Sequence, residues 1–343
     1  MSKCYACSQE LPGLIRPFHP IQLIGCDHCM NVSQITWLDE IPTVVSIPNY
    51  RRLNKYVPEG SVLANMLAIV PKALTQLPVL AEIPQRVVKT IHTPDASLND
   101  VAQVIKEDAV LTTKVLSLSN SAFFATVSEI VDLPTACSRL GMHTLGNIAN
   151  AMAFANQYKS NDKSAIQLMQ KLWMHSLASA HCAELLAQKF GLDRDVAYVT
   201  GLLHDIGKVV MIDIITTKFV GTPPRLKESP DLIARAIEPV AHLVGLHVVQ
   251  YWKLAGDLTH PMFFIQQPEI APTKDGQAMA YCVRLASDMA DTRGFGITDS
   301  SSVKIDGHVS LGFFEMSPGD LESLSDNVDQ MLASLLSVFG SPV

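Results

Sequence analysis

The 343-residue chain is 48% hydrophobic and 17% charged, with a formal net charge of -7 and a sequence pI of about 5.9. Such a chain can bury a sizeable core in two or three domains, and it lacks the basic field that a broad nucleic-acid surface needs. No uncharged apolar run approaches the roughly 18 residues that span a membrane, and the start, Met-Ser-Lys-Cys, carries no apolar signal core, so a cytoplasmic chain is expected.

Residues 1–37 show little helical periodicity, and Pro12, Pro17 and Pro20 break any helix there. Four of the seven cysteines fall in this stretch as CYAC and CDHC, two Cys-x2-Cys pairs separated by 18 residues. Each pair makes a tight knuckle whose thiolates converge, and two knuckles complete a tetrahedron around Zn²⁺. The expectation is a zinc-ribbon-like segment with structural zinc on Cys4, Cys7, Cys26 and Cys29; a redox pair is the alternative. So small a segment would draw its folding energy from the metal. Residues 38–69 read as a linker or capping element, in which IPTVVSIPNY is a short extended piece.

From about Leu63 the pattern turns helical. Ser97 and Asp100 form a variant capping box ahead of VAQVIKE, which sets Val101, Val104 and Ile105 on one face. Pro94 stops the preceding helix, whose own Pro84 sits near its start. The stretches 109–120, 134–158, 164–190 and 195–218 continue the pattern, and Gly191 closes one helix. Residues 218–232 are turn-rich, helices resume at 233–255 and 276–292, and 294–308 is a polar loop. Ser317 then caps a last amphipathic helix striped by Leu321, Leu324, Val328, Met331, Leu332 and Leu335. This helix either docks on the main domain or serves a partner or a second copy. Cys137, Cys182 and Cys282 read as core thiols.

The chemistry concentrates in GLLHDIGK, Gly201 to Lys208. Val196 to Leu203 reads as a buried helix that delivers His204 and Asp205 to its end, where Gly207 permits a turn. Adjacent imidazole and carboxylate can reach one borderline cation, and such a cation can polarise a phosphoryl oxygen or generate hydroxide. Two further ligands are needed: His175 in WMHS and Asp288 in RLASDMAD are the candidates.

With these residues the chain resembles the HD superfamily, and more closely its HDOD (HD-related output domain) branch. The resemblance covers roughly residues 70–290. IKEDAVLTTKVLSLSNSAFF is its most specific tract; TACSRLGMHTLGNIANAM, WMHS, GLLHDIGK and VGLHVVQYWKL continue it. It implies an all-α, multi-helix domain over 70–293, with the HD-like half from about 164, used in bacterial signalling as an output or scaffold module without turnover. His175, His204, Asp205 and Asp288 match the HD metal quartet, and Lys208 matches the lysine of HDxGK. Other positions depart from the catalytic relatives. Gln266-Gln267 stands where they carry a His-His pair, Ala241 with His242 beside it stands where they carry a histidine, and the Gly-Tyr-Pro signature is missing. A two-metal site is therefore not expected.

Three readings of the quartet stay open: a hydrogen-bonded structural cluster, a bound non-catalytic metal, and an active site. The reading adopted is a non-catalytic signalling or scaffold protein with protein partners. The alternative is a single-metal phosphohydrolase acting on a nucleotide or cyclic dinucleotide, with Lys208 the one catalytic candidate. A nucleotide second messenger and a homodimer are compatible with both; membrane and nucleic-acid partners are not expected. His181, His247 and His260 read as ordinary histidines, and Asn120 and Ser121 as capping or turn contacts.

Overall fold

The computed structural model describes residues 21–25, 32–38, 41–47, 72–124, 128–218, 230–252, most of 254–297, and 305–340. The four N-terminal cysteines, and with them the expected zinc site, lie outside these residues. The chain divides into two units, Met1–Ala68 and Ile69–Val343. In the first, β1 (Ile21–Gly25), β2 (Val32–Leu38) and β3 (Ile41–Ile47) pair antiparallel in the order β1-β2-β3. Leu23 stands opposite Gln34, and Gln34 opposite Val45. β3 is the extended IPTVVSI run, whose β-branched residues suit a pleated strand.

The second unit is helical throughout its described residues. α1 (Glu82–Ile91), α2 (Leu98–Ile105), α3 (Ala109–Ser119) and α4 (Leu133–Ala155) build its first half. Local polar chemistry sets their starts. Ser97 and Asp100 exchange both bonds of a capping box, and Asp108 and Asp132 accept from first-turn amides of α3 and α4. Asn120, in the SNSAFF tract, closes the loop after α3: its Nδ2 donates to the Ile130 carbonyl and its Oδ1 accepts from the Ile130 amide, both at 2.8 Å. One side chain thus serves both backbone groups of a residue ten positions on.

The second half contains α5 (Lys163–Phe190), α6 (Arg194–Leu203), α7 (Ile206–Asp213), α8 (Pro230–Tyr251) and α9 (Lys274–Ala290). The expected helix over 195–218 is interrupted at His204-Asp205, where Asp205 leaves helical geometry (φ -104°, ψ 9°). Gly191 ends α5 with a positive φ of 67°, the left-handed turn that glycine adopts at low cost. Gly207 is not a turn residue: it lies inside α7 and allows a backbone crossing. A Cβ there would stand 1.8 Å from the Ala241 carbonyl oxygen on α8. Gly201 plays the same part between α6 and α5, where a Cβ would come within 2.8 Å of Ala180 Cα. These two crossings press the His204-Asp205 junction between α5 and α8.

α10 (Val309–Phe313) and α11 (Pro318–Phe339) complete the chain. Ser317 caps α11 by accepting from the Asp320 amide. Leu324, Val328, Leu332 and Leu335 are buried, so the stripe faces the helical body. Trp173 Nε1 on α5 donates to the Phe339 carbonyl at 3.0 Å, and the Phe123 amide donates to Ser334 Oγ at 3.2 Å. The last helix therefore clasps both halves. Cys137, Cys182 and Cys282 are free and buried; burial pushes the Cys137 thiol up to about 11 and the Cys182 thiol up to about 12, which leaves them as inert core groups.

Candidate metal centre

Three metal-ligating side chains converge where α5, α6 and α7 meet. His175 Nε2 lies 3.2 Å from His204 Nε2, and Asp205 Oδ2 lies 3.5 Å and 3.6 Å from those two nitrogens. All three side chains are buried. Among the described residues, this is the one group of three or more His, Cys, Asp or Glu side chains gathered closely enough to hold a metal ion.

A hydrogen bond on the far side of the His204 ring fixes its tautomer. His204 Nδ1 is 2.7 Å from the Gly201 carbonyl, so it carries the proton and Nε2 holds a lone pair. His175 Nδ1 lies 3.1 Å from Asp291 Oδ1 without hydrogen-bond geometry, and its Nε2 is the nitrogen turned toward His204 and Asp205. Burial lowers the His204 pKa, despite the opposing pull of the Asp205 charge, and keeps that ring neutral. Burial also works to raise the Asp205 pKa. The Lys208 ammonium, 3.0 Å from Asp205 Oδ2, outweighs it and holds the carboxyl well below the usual range. Three electron-pair donors therefore face a common point. That donor set, with the His204 imidazole oriented from behind by the Gly201 carbonyl, fits a divalent cation.

The cluster opens on a cavity of about 260 Å³. α9 lines one wall with Arg284, Ser287 and Asp288, and Asp291, the residue that caps its C-terminal end, continues the stripe. Ser287 Oγ and Ser179 Oγ lie 3.3 Å and 3.4 Å from His175 Nε2. Lys208 and Gln266 line the cavity as well. Asp288, expected as the fourth ligand, faces this cavity, but its Oδ2 pairs with His308 Nε2 at 2.7 Å and the carboxylate is not gathered with the other three.

Residues 77–268 match the HDOD domain family. The chain belongs to that family. It is 25% identical over 213 residues to an uncharacterised protein of Treponema pallidum, and 26% identical over 227 residues to ribonuclease Y of Symbiobacterium thermophilum. Those matches take in 60% and 62% of this chain but 41% and 39% of the relatives, so the HDOD chain spans less than half the length of either. Among solved structures, an HDOD domain protein of unknown function from Geobacter sulfurreducens superposes with a TM-score of 0.62 at 23% identity, covering 81% of this chain and 99% of that one. The HDOD fold is thereby shown. No described helix is long and apolar enough to cross a membrane.

Several residues of this HDOD site escape a reading by motif. Asp291 lies one helical turn after Asp288 in the same RLASDMAD run, and that spacing is the signal that could have found it. His308 comes from the polar loop expected over 294–308 and gives no such signal. His181, read as ordinary, joins a second buried cluster around Glu184. Glu184 Oε2 accepts from Asn147 Nδ2 at 2.8 Å and lies 3.3 Å from His181 Nδ1; Oε1 pairs with Arg194 at 2.7 Å and lies 3.2 Å from His143 Nδ1. This cluster ties α4, α5 and α6 together two turns from His175.

Proposed function

We propose that this HDOD protein is a signalling module that holds one divalent cation on His175, His204 and Asp205 and uses it to capture a phosphate-bearing ligand without turnover. The supporting observation is the convergence of three buried donors beside a cavity that also presents Lys208 and Arg284. Two cationic side chains next to a cation site suit an anionic group. The cation, when bound, polarises a phosphoryl oxygen. Lys208 holds Asp205 in its charged form, and Ile212, Ala234, Ile237 and Ile265 supply the apolar part of the cavity lining. Gln266 in the lining is an amide where a second metal would need imidazole or carboxylate, which supports one cation and binding over hydrolysis.

Around this centre, the reading includes cytoplasmic operation with protein partners and a structural zinc on Cys4, Cys7, Cys26 and Cys29. A single-metal phosphohydrolase is the second reading. It draws on the same three donors with Lys208 alongside, a set sufficient for one activated water. Incubation with Mn²⁺ or Mg²⁺ and either bis(p-nitrophenyl) phosphate or cyclic dinucleotides separates the two. Saturable binding without product supports the module; product formation that disappears in His204→Ala establishes the enzyme instead.

A further inference from the structure

Two of the ties that fasten α11 to the body land two residues from the cavity lining. At the C-terminal end of α11 the Phe339 carbonyl accepts from Trp173 Nε1 at 3.0 Å, and Trp173 precedes His175 by two positions on α5. Midway along α11, Asp329 Oδ1 accepts from Arg293 Nε at 2.5 Å. Arg293 follows Asp291 by two positions in the π-helical turn Asp291–Phe295, where Gly294 takes a φ of 84°. Asp291 lines the cavity and lies 3.1 Å from His175 Nδ1.

A buried path also joins the end of α11 to the end of α6. Trp173 packs on Tyr158 with ring centroids 5.1 Å apart. The Tyr158 hydroxyl lies 3.2 Å from the Leu202 carbonyl, two residues before His204, and 3.0 Å from Ser176 Oγ, next to His175. Trp173 and Tyr158 are both fully enclosed, so in a close-packed interior neither ring shifts without moving its neighbours. The outward side of α11 is different: Asp329, Gln330, Ala333 and Ser337 are exposed. An ion pair to an exposed carboxylate stabilises little by itself, so removing Asp329 interrupts the tie and leaves the fold standing.

We propose that α11 is the output element of the cavity: a cation seated on His175, His204 and Asp205 restrains α5 and the 291–295 turn, and through Trp173 and Arg293 holds α11 against the body. This rests on the cation reading above. Binding that orders one element lowers the cost of ordering another that packs on it. The coupling is reciprocal, so whatever loosens α11 weakens the cation by the same factor.

The test is hydrogen exchange of the full chain with and without Mn²⁺, a readout independent of turnover; Mn²⁺ favours oxygen ligands such as Asp205 over cysteine thiolates. Mn²⁺ should slow the amides of α11 by about five-fold or more and leave those of α1, which lines no part of the cavity, unchanged. Asp329→Ala should weaken Mn²⁺ affinity by a similar factor in electron paramagnetic resonance titrations. Arg293→Ala added to it should weaken binding no further than Arg293→Ala alone, since the two act through one contact. Thermal melting of each variant reports folding. Slowing confined to α5 and α7, equal slowing of α1 and α11, or wild-type affinity in Asp329→Ala would overturn the output role and leave the cation reading standing. No slowing anywhere, or the same slowing in His204→Ala, would overturn both.

Discussion

His175 and His204 bring their Nε2 atoms to within 3.2 Å of one another, and the His204 ring is held by the Gly201 carbonyl on its other nitrogen. A cation seated between these nitrogens and Asp205 would draw on all three side chains. Ligand that binds only the folded state stabilises it by about 2.7 kcal/mol at a hundredfold excess over Kd. Saturating Mn²⁺ should therefore raise the thermal midpoint of the wild type by several degrees and leave His175→Ala unmoved. An equal shift in both proteins would place the ion elsewhere.

The crossing of α7 on α8 leaves no room at Gly207. Gly207→Ala forces a methyl into the Ala241 carbonyl and should cost about 1–3 kcal/mol or more, as well as displacing Asp205. Gly146→Ala is the internal comparison. Its Cβ meets only Ile91 Cδ1 at 3.5 Å inside α4, so the change should be neutral or gain about 0.5–1 kcal/mol from the removed backbone freedom. Urea titrations of both variants give the comparison directly.

Asn120 serves the Ile130 amide and carbonyl together. Asn120→Ala strands two part-buried backbone groups and should cost about 1–3 kcal/mol for the groups left unmet. Asn120→Asp keeps the acceptor and loses the donor, so its loss should be intermediate. Native-state hydrogen exchange at Ile130 should speed up in the same order.

Glu184 predicts an acid-sensitive brace. Burial works to raise its pKa, but His181, His143 and Arg194 outweigh it and hold the carboxyl below its ordinary value of 4.5. A depressed carboxyl stabilises the fold fully above the unfolded-state pKa, and that contribution is lost as pH falls through the folded-state pKa. Glu184→Gln should lower stability at pH 7 by roughly 1–3 kcal/mol, and below pH 4.5 the gap between variant and wild type should close. A constant gap across an acid titration would count against the brace.

Local chemistry made much of this protein legible. Ser97 with Asp100, and Ser317 with Asp320, announce their helices because a cap is decided within four residues. The convergence of His175 on His204-Asp205 was legible through the family resemblance that WMHS and GLLHDIGK carry. Other features depend on which surfaces meet, and sequence order does not encode that plainly. Gly207 suggested a turn, whereas the space it leaves is used by the backbone of α8. Asp288 was expected among the ligands, and its actual partner, His308, arrives from a loop with no periodicity. His181 shows no feature that separates a ring beside Glu184 from an ordinary one, because Asn147 and Arg194 come from other helices.

Metal content tests the central claim most directly. Elemental analysis of chelator-free wild type and of a His204→Ala/Asp205→Ala double variant, both checked for folding by thermal melting, should show one more equivalent of divalent metal in the wild type, whatever the N-terminal cysteines hold. Equal metal content in the two folded proteins would mean that His175, His204 and Asp205 are a hydrogen-bonded brace and not a cation site.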